Sequence, residues 1–256
     1  MKKILSLVLA AMMLLCCVSC GGKVADVDAV KAAGKMVIGI TEYAPMNYKD
    51  ENGEWTGFDT EFAELVCEKL GVAAEFIVID WDNKILELDS KGIDAVWNGM
   101  TITDEVKNGM SVSNAYVKNA QVVVMAADAV ANYADAASMA DLAFAVEAGS
   151  AGEAAAADAG LTNVTAVVDQ ATALMEVASG SVDACVIDIT MANAMTGEGT
   201  SYTDLGYSVE LTTEEYGIGF RKGSDLAEEV NKIMAELIAD GTLPALAEKY
   251  SLTLAN

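Results

Sequence analysis

Two short segments of this chain carry side chains suited to holding a small molecule. In Gly92 to Lys107, GIDAVWNGMTITDEVK, an apolar run ends in Asn98 and Gly99 and passes into a turn holding Thr101 and Thr103. Roughly 90 residues on, GSVDACVID from Gly180 to Asp188 repeats Ile93-Asp94-Ala95 as Val182-Asp183-Ala184 and again ends on a polar side chain. An amide, a hydroxyl and a carboxylate offer hydrogen bonds and charge, and a glycine lets backbone approach a ligand closely. Tyr43 and Trp81 add ring faces, which suit apolar stems and cations. The turn Gly149-Ser150-Ala151-Gly152 opens an alanine-rich helix whose free N–H groups attract anions, although a plain helix cap explains the same residues. Asp188 is likewise placed to cap a helix starting at Ile189, and both rings are also consistent with packing. The chain has no histidine, which excludes a His-bearing catalytic triad and makes the usual zinc constellations improbable.

The elements that position these groups alternate between strand and helix. Met36 to Ile40 is a continuous apolar run of the kind buried in parallel sheets, and Pro45 ends it, leaving Tyr43 at the mouth of the sheet. A hairpin around Asn52-Gly53 precedes a helix over Phe58, Phe62, Leu65, Val66 and Leu70, closed by Gly71. Strand Ala74 to Ile79 leads through Asp80, Trp81 and Asp82 into a helix over Ile85, Leu86 and Leu88, with Asp82 as its cap. Trp81 therefore sits at a strand-to-helix junction, where open α/β folds bind ligands. Strand Ile93 to Trp97 then delivers Asn98, Gly99 and Thr101 on its loop. The segment Tyr116 to Ala127 reads as one long strand leaving the first lobe for a second. There Leu142 to Val146, Val164 to Val168 and Val182 to Ile187 alternate with helices at Ala151 to Asp158 and Gln170 to Ser179, the latter over Ala171, Leu174, Met175 and Ala178. Tyr207 to Leu211 crosses back, and closing helices over Leu226 to Ile238 and around Leu246 return to the first lobe. This predicts residues 35–122 with 212–256 as one lobe and 123–211 as the other, each a mostly parallel sheet flanked by helices and joined by a two-strand hinge.

A length of 256 residues admits either one large domain or two smaller ones, and composition does not choose. The net charge of −24 argues against nucleic acid or an anionic membrane surface as partner. Lys2 and Lys3 precede an apolar run from Ile4 to Val18 that is short for a membrane span and ends in small residues at Ser19 and Cys20. Residues 1–19 resemble a bacterial lipoprotein signal, which implies Cys20 as the lipidated first residue and residues 20–34 as a tether. Cys17 departs from that pattern, and an ordinary secretory signal is the alternative. Cys67 and Cys185 fall in different lobes and imply no disulfide framework.

EWTGFDTEFAELVCEKLG, DAVWNGMTITDE, VEAGSAGEA, SGSVDACVID, EEYGIGFRKGSDL and ADGTLPALAEKY follow one another in an order that resembles the extracellular solute-binding proteins of bacterial ABC importers for polar amino acids. The resemblance spans nearly the whole mature chain. It implies the α/β two-lobed periplasmic-binding-protein fold of type II, closing on its ligand like a trap. It also implies that Tyr43 and Trp81 wall the ligand side chain. Asn98, Gly99 and Thr101 would hold its amino and carboxylate ends, and Ser150 and Ala151, after Gly149, would meet the α-carboxylate through backbone amides. Asp188 would pair with the α-ammonium, and Glu147 would touch the side chain.

One position departs from this pattern. Where relatives carry an arginine that clamps the carboxylate, this chain has Val106, and Lys107 next door points about 100° away around a helix and lacks the bidentate fork. Together with Glu147 this predicts a cationic or carboxylate-poor ligand. The function implied is a lipid-anchored receptor, monomeric and without cofactor or metal, on the extracytoplasmic face of the membrane, passing an amino acid or related amine to an ABC permease. A sensory protein without transport, or a dehydratase or lyase on the same scaffold, are the other classes considered.

Overall fold

The computed structural model describes residues 25–255; the signal segment, Cys20 and the first part of the tether lie outside the described residues. Within them the chain forms two five- and six-stranded sheets of matching plan. In the first, β1 (Lys35–Ile40) lies between β4 (Ala73–Val78) and β5 (Ala95–Thr101), all parallel, and β13 (Glu214–Arg221) runs antiparallel beside β5. β6 (Met110–Val112) and β7 (Val117–Asn119) then pair with β13, while β2 (Tyr48–Lys49) and β3 (Trp55–Thr56) form a separate hairpin. In the second sheet, β9 (Phe144–Glu147) lies between parallel β10 (Val164–Val167) and β11 (Ala184–Asp188). β8 (Gln121–Ala126) runs antiparallel beside β11, and β12 (Leu205–Glu210) pairs with β8. The sequence repeat is therefore a repeat of position: β5 and β11 each separate a parallel strand from an antiparallel one.

The longer helices are held by apolar faces. α1 spans Asp26–Ala33, and α2, Phe58–Leu70, buries Phe58, Phe62, Ala63, Val66 and Leu70, then stops at Gly71, whose φ of 78° suits a left-handed cap. Burying each such large side chain contributes roughly 1.5–3 kcal/mol, which is what fixes the helix on the sheet. α3 (Lys84–Asp89), α4 (Asp104–Gly109), α5 (Ala151–Asp158), α6 (Gln170–Ser179) and α7 (Ile189–Met195) follow their strands, and α8 (Leu226–Ala239) and α9 (Thr242–Lys249) close the chain. Cys67 on α2 and Cys185 on β11 are buried and free, and burial pushes the Cys67 thiol up to about 12, so both serve packing.

Several local expectations are corrected. Where a tether was expected, Asp26 to Ala33 is helical and docked: Asp26 pairs with Arg221 at 3.1 Å, and the N–H groups of Asp26 and Val27 donate to Asp225 Oδ1. The Asp225 carboxylate caps this helix start, and the Asp26–Arg221 pair fixes where it docks. Asp80 rather than Asp82 caps the turn at Trp81, accepting from the Asp82 N–H. Leu86 and Met175, placed on buried faces by periodicity, are exposed, and α6 buries Ala173 and Val177 beside the expected Leu174. The crossing segment breaks at Ala120, which divides it into β7 on the first sheet and β8 on the second.

Candidate functional site

The carboxyl ends of β5 and β11 face each other across a cavity of about 280 Å³. This lies near the ~300 Å³ lower end of ligand pockets, enough for an amino acid and too little for a peptide. Trp81, Asn98, Gly99 and Thr101 line it from the first sheet, and Glu147, Ser150, Ala151 and Asp188 from the second.

On the first side, Asn98, Gly99 and Thr101 lie within β5 itself, not on the loop after it. The register of β5 against β13 shifts between Gly217 and Gly219, a bulge that re-aims the strand's last side chains. Asn98 Nδ2 donates to Thr41 Oγ1 at 2.8 Å, while its Oδ1 accepts from Asn47 Nδ2. Gly99 has φ of 55°, and its N–H donates to Asp59 Oδ2 at 2.6 Å. A Cβ there would lie 2.5 Å from Tyr43 Cε1, so glycine is what lets the ring rest against this strand. Burial pushes the Asp59 carboxyl up to about 7, opposed by hydrogen bonds from Gly99, Tyr116 and Trp97.

Tyr43 is not on the cavity wall. It fills the space Gly99 leaves, and its hydroxyl shares hydrogen bonds with Tyr216 and, at 2.5 Å, with Thr190 on α7. Placed by sequence at an open sheet mouth, it instead forms a buried contact between the two halves of the molecule.

On the second side, Asp188 Oδ1 accepts from Asn119 Nδ2 and, at 2.9 Å, from Gln121 Nε2, and its Oδ2 accepts from Gln170 Nε2. It makes no side-chain cap to α7, so the capping alternative is not realised. Glu214 Oε2 accepts from the same Asn119 and Gln121 amides and from Thr101 Oγ1 at 2.8 Å. Burial, and then the charge of Glu214, push the Asp188 carboxyl up to about 7. Glu147 is 3% exposed and its Oε1 has no hydrogen-bond partner among the described residues. Burial, then Asp188 and Asp169, push its carboxyl up to about 8.

Ser150 does cap α5, its Oγ accepting from the Glu153 N–H at 3.1 Å, and Glu153 Oε2 accepts from the Gly149 N–H at 2.8 Å. Trp81 faces the cavity with its ring beneath the Lys84 ammonium, 5.1 Å from the centroid. Val106 is buried at the cavity wall. Lys84, Gln170, Asn119, Gln121 and Glu214 were not singled out from sequence. The only signal was a polar residue opening an otherwise apolar strand, as at Gln121 and Glu214.

A family model for bacterial extracellular solute-binding proteins, family 3, matches residues 36–253. The L-cystine-binding protein TcyJ of Escherichia coli K12 is 30% identical over 224 residues, covering 86% of this chain and 84% of that protein. The arginine-binding extracellular protein ArtP of Bacillus subtilis 168 is 30% identical over 261 residues and covers 98% of both. Among solved structures, a mutant of ArgBP from T. maritima superposes with a TM-score of 0.82 at 30% identity, covering 88% of this chain and 98% of that one. An ancestral amino acid-binding protein described as a precursor of cyclohexadienyl dehydratase superposes at 0.80 with 31% identity, covering 88% and 99%.

Proposed function

The chain belongs to the bacterial extracellular solute-binding proteins of family 3, and we propose that it captures an amino acid with a cationic side chain between its two lobes for import through an ABC permease. It is a binding protein of type II two-lobed fold rather than an enzyme, like the relatives above. The observation carrying the ligand class is Glu147, a buried carboxyl with a partnerless oxygen, beside Asp188 in one small cavity. The charge of Asp188 adds to burial in keeping Glu147 protonated, and a ligand bearing two cationic groups supplies a counter-charge to each acid. Asp188 takes the α-ammonium, Glu147 the side-chain cation, and Trp81 the apolar stem. Arginine-binding relatives support the same class.

The proposal extends to the whole molecule. Residues 35–122 with 212–256 form one lobe, 123–211 the other, and the β7–β8 and β12–β13 crossings act as hinge, tied where the Gln121 N–H donates to Thr212 Oγ1 at 3.0 Å. Among the described residues no helix is long and apolar enough to cross a membrane. Cys20 carries a lipid that holds a monomeric receptor on the extracytoplasmic face.

A thermal-shift panel of the L-amino acids tests this. At a hundredfold excess over Kd, bound ligand adds about 2.7 kcal/mol, which for a chain of this size raises Tm by roughly 5–10 °C. L-Arginine, L-lysine or L-ornithine should give the largest rise. No response to any amino acid overturns the receptor reading, and tight binding of glutamate overturns the cationic preference.

A pH dependence follows from the two raised carboxyls. An unfolded carboxylate titrates near 4, whereas Glu147 titrates near 8 and Asp188 near 7 in the folded protein. The ligand-free fold thus holds protons the unfolded chain has released, and their contribution to stability is full below about pH 4 and is lost as pH rises through 7 to 8. Ligand-free protein should therefore melt lower at pH 8.5 than at pH 5.5. A cation favours the ionised acids, so affinity for L-arginine should rise over the same window and binding should release protons. Calorimetry in buffers of different ionisation enthalpy reads that release; no proton release at pH 6.5 would remove the acids from the binding site.

A further inference from the structure

Lys84 is the one basic side chain lining the cavity among the described residues. It is 5% exposed, and its Nζ meets two backbone carbonyls, Gly149 O at 2.8 Å and Trp81 O at 3.3 Å. Those bonds use two of an ammonium's three donors and bring no negative charge into contact. Glu105, Glu147, Asp82 and Glu153 oppose the effect of burial on it from further away, but it forms no ion pair among the described residues. A buried cation left with a donor and no contacting anion is costly unless something arrives to pair with it.

Its position says what that should be. Lys84 sits on the first half of the molecule, yet it bonds the carbonyl of the residue just before Ser150, so its charge stands at the start of α5. Ser150 and Glu153 occupy the amides of Glu153 and Gly149, and among the described residues no partner is seen for the Ala151 amide, the first of the helix. A cation from one lobe and a helix start from the other thus converge on one corner of the cavity, while Glu147 and Asp188 supply the acids. Val106 shares the apolar cluster of Trp81, the ring over which Lys84 lies, and offers that corner no charge.

We propose that Lys84 receives the ligand's carboxylate at the start of α5, so that the cavity is built for a zwitterion and discriminates against carboxylate-free amines. This deepens the receptor reading and rests on it. It also revises the carboxylate-poor ligand expected from Val106 and Glu147, because the missing arginine's charge is supplied from a different element. A single ammonium gives one or two hydrogen bonds where a guanidinium gives a parallel pair, so discrimination comes from charge more than from geometry.

The test compares L-arginine, L-argininamide and agmatine by calorimetry on the wild-type protein and on Lys84→Met and Lys84→Arg. Wild type should bind L-arginine at least about 30-fold more tightly than either carboxylate-free analogue, the loss expected when a buried charge pair is broken. Lys84→Met should lose most of that preference while holding agmatine within about threefold, and Lys84→Arg should restore much of it. If Lys84 only latches the lobes through Gly149, the variant weakens all three probes alike, and the proposal fails. Equal binding of L-arginine and agmatine by wild type also overturns it, without needing any variant to fold. Failure of wild type to bind any of the three overturns the cationic amino acid reading itself, and this inference with it.

Discussion

Replacing Asp188 by asparagine should weaken binding of L-arginine by at least about 30-fold, because truncating one side of a buried ammonium–carboxylate pair costs roughly 2–5 kcal/mol. The side chain keeps its size, so the fold should survive. Asp188 accepts from Asn119, Gln121 and Gln170, and asparagine can keep the two bonds at Oδ1 but must set an N–H group against Gln170 Nε2. That mismatch should cost the ligand-free protein about 1–2 kcal/mol, or a few degrees in Tm. Calorimetry and a melt of the same sample separate the two effects. Unchanged affinity would mean that Asp188 belongs to the hinge network with Glu214 and not to the ligand. Asp188→Ala is a poorer probe, since it removes an acceptor from each of three buried amides and leaves Asn119 and Gln121 to Glu214.

Gly149→Ala should act on closure. A Cβ at Gly149 would lie 2.7 Å from Asp82 Cα and 2.6 Å from Asp82 Oδ1. The carboxylate can swing aside, but the backbone atom cannot, so the turn before α5 must back away from the turn after β4. The two turns belong to different sheets, and the Lys84–Gly149 hydrogen bond would lengthen with the gap. Overpacking of this kind costs roughly 1–3 kcal/mol, which predicts about a 5- to 150-fold loss of affinity. Alanine at φ of 67° costs the ligand-free protein a further ~1 kcal/mol. Affinity should therefore fall by more than the melting temperature accounts for. Equal losses in both would show that the contact is present with and without ligand.

Both variants concern contacts whose existence was only partly legible in the chain. The repeat GIDAVWNGM and SVDACVID marked β5 and β11 correctly, because a buried strand next to a polar end is a local pattern. Trp81 fell at the cavity because a strand-to-helix junction lies at the carboxyl end of a sheet. The same logic misplaced Tyr43. Its junction was right, but whether a ring at that junction faces the ligand or the core depends on what stands opposite, and opposite stands Gly99. Leu86 and Met175 failed for a similar reason, since a helix of small and apolar residues has more than one face that could be buried.

The alternation of strands and helices, the repeat and the candidate site strands were thus legible in sequence alone, because hydrophobic period, glycine and proline act over a few residues, whereas the docked helix Asp26–Ala33 and the break at Ala120 were not. Tertiary structure decided the electrostatics. Asp188 meets Asn119, Gln121 and Glu214 across separations no local pattern records, and Lys84 reaches Gly149 from the other sheet. Burial then sets how much each charge matters, raising Glu147 and Asp188 toward neutrality and leaving Lys84 in want of an anion. Charge pairing and desolvation are properties of what surrounds a group in space, so the proposed preference for a zwitterion could be argued only once the two sheets faced each other.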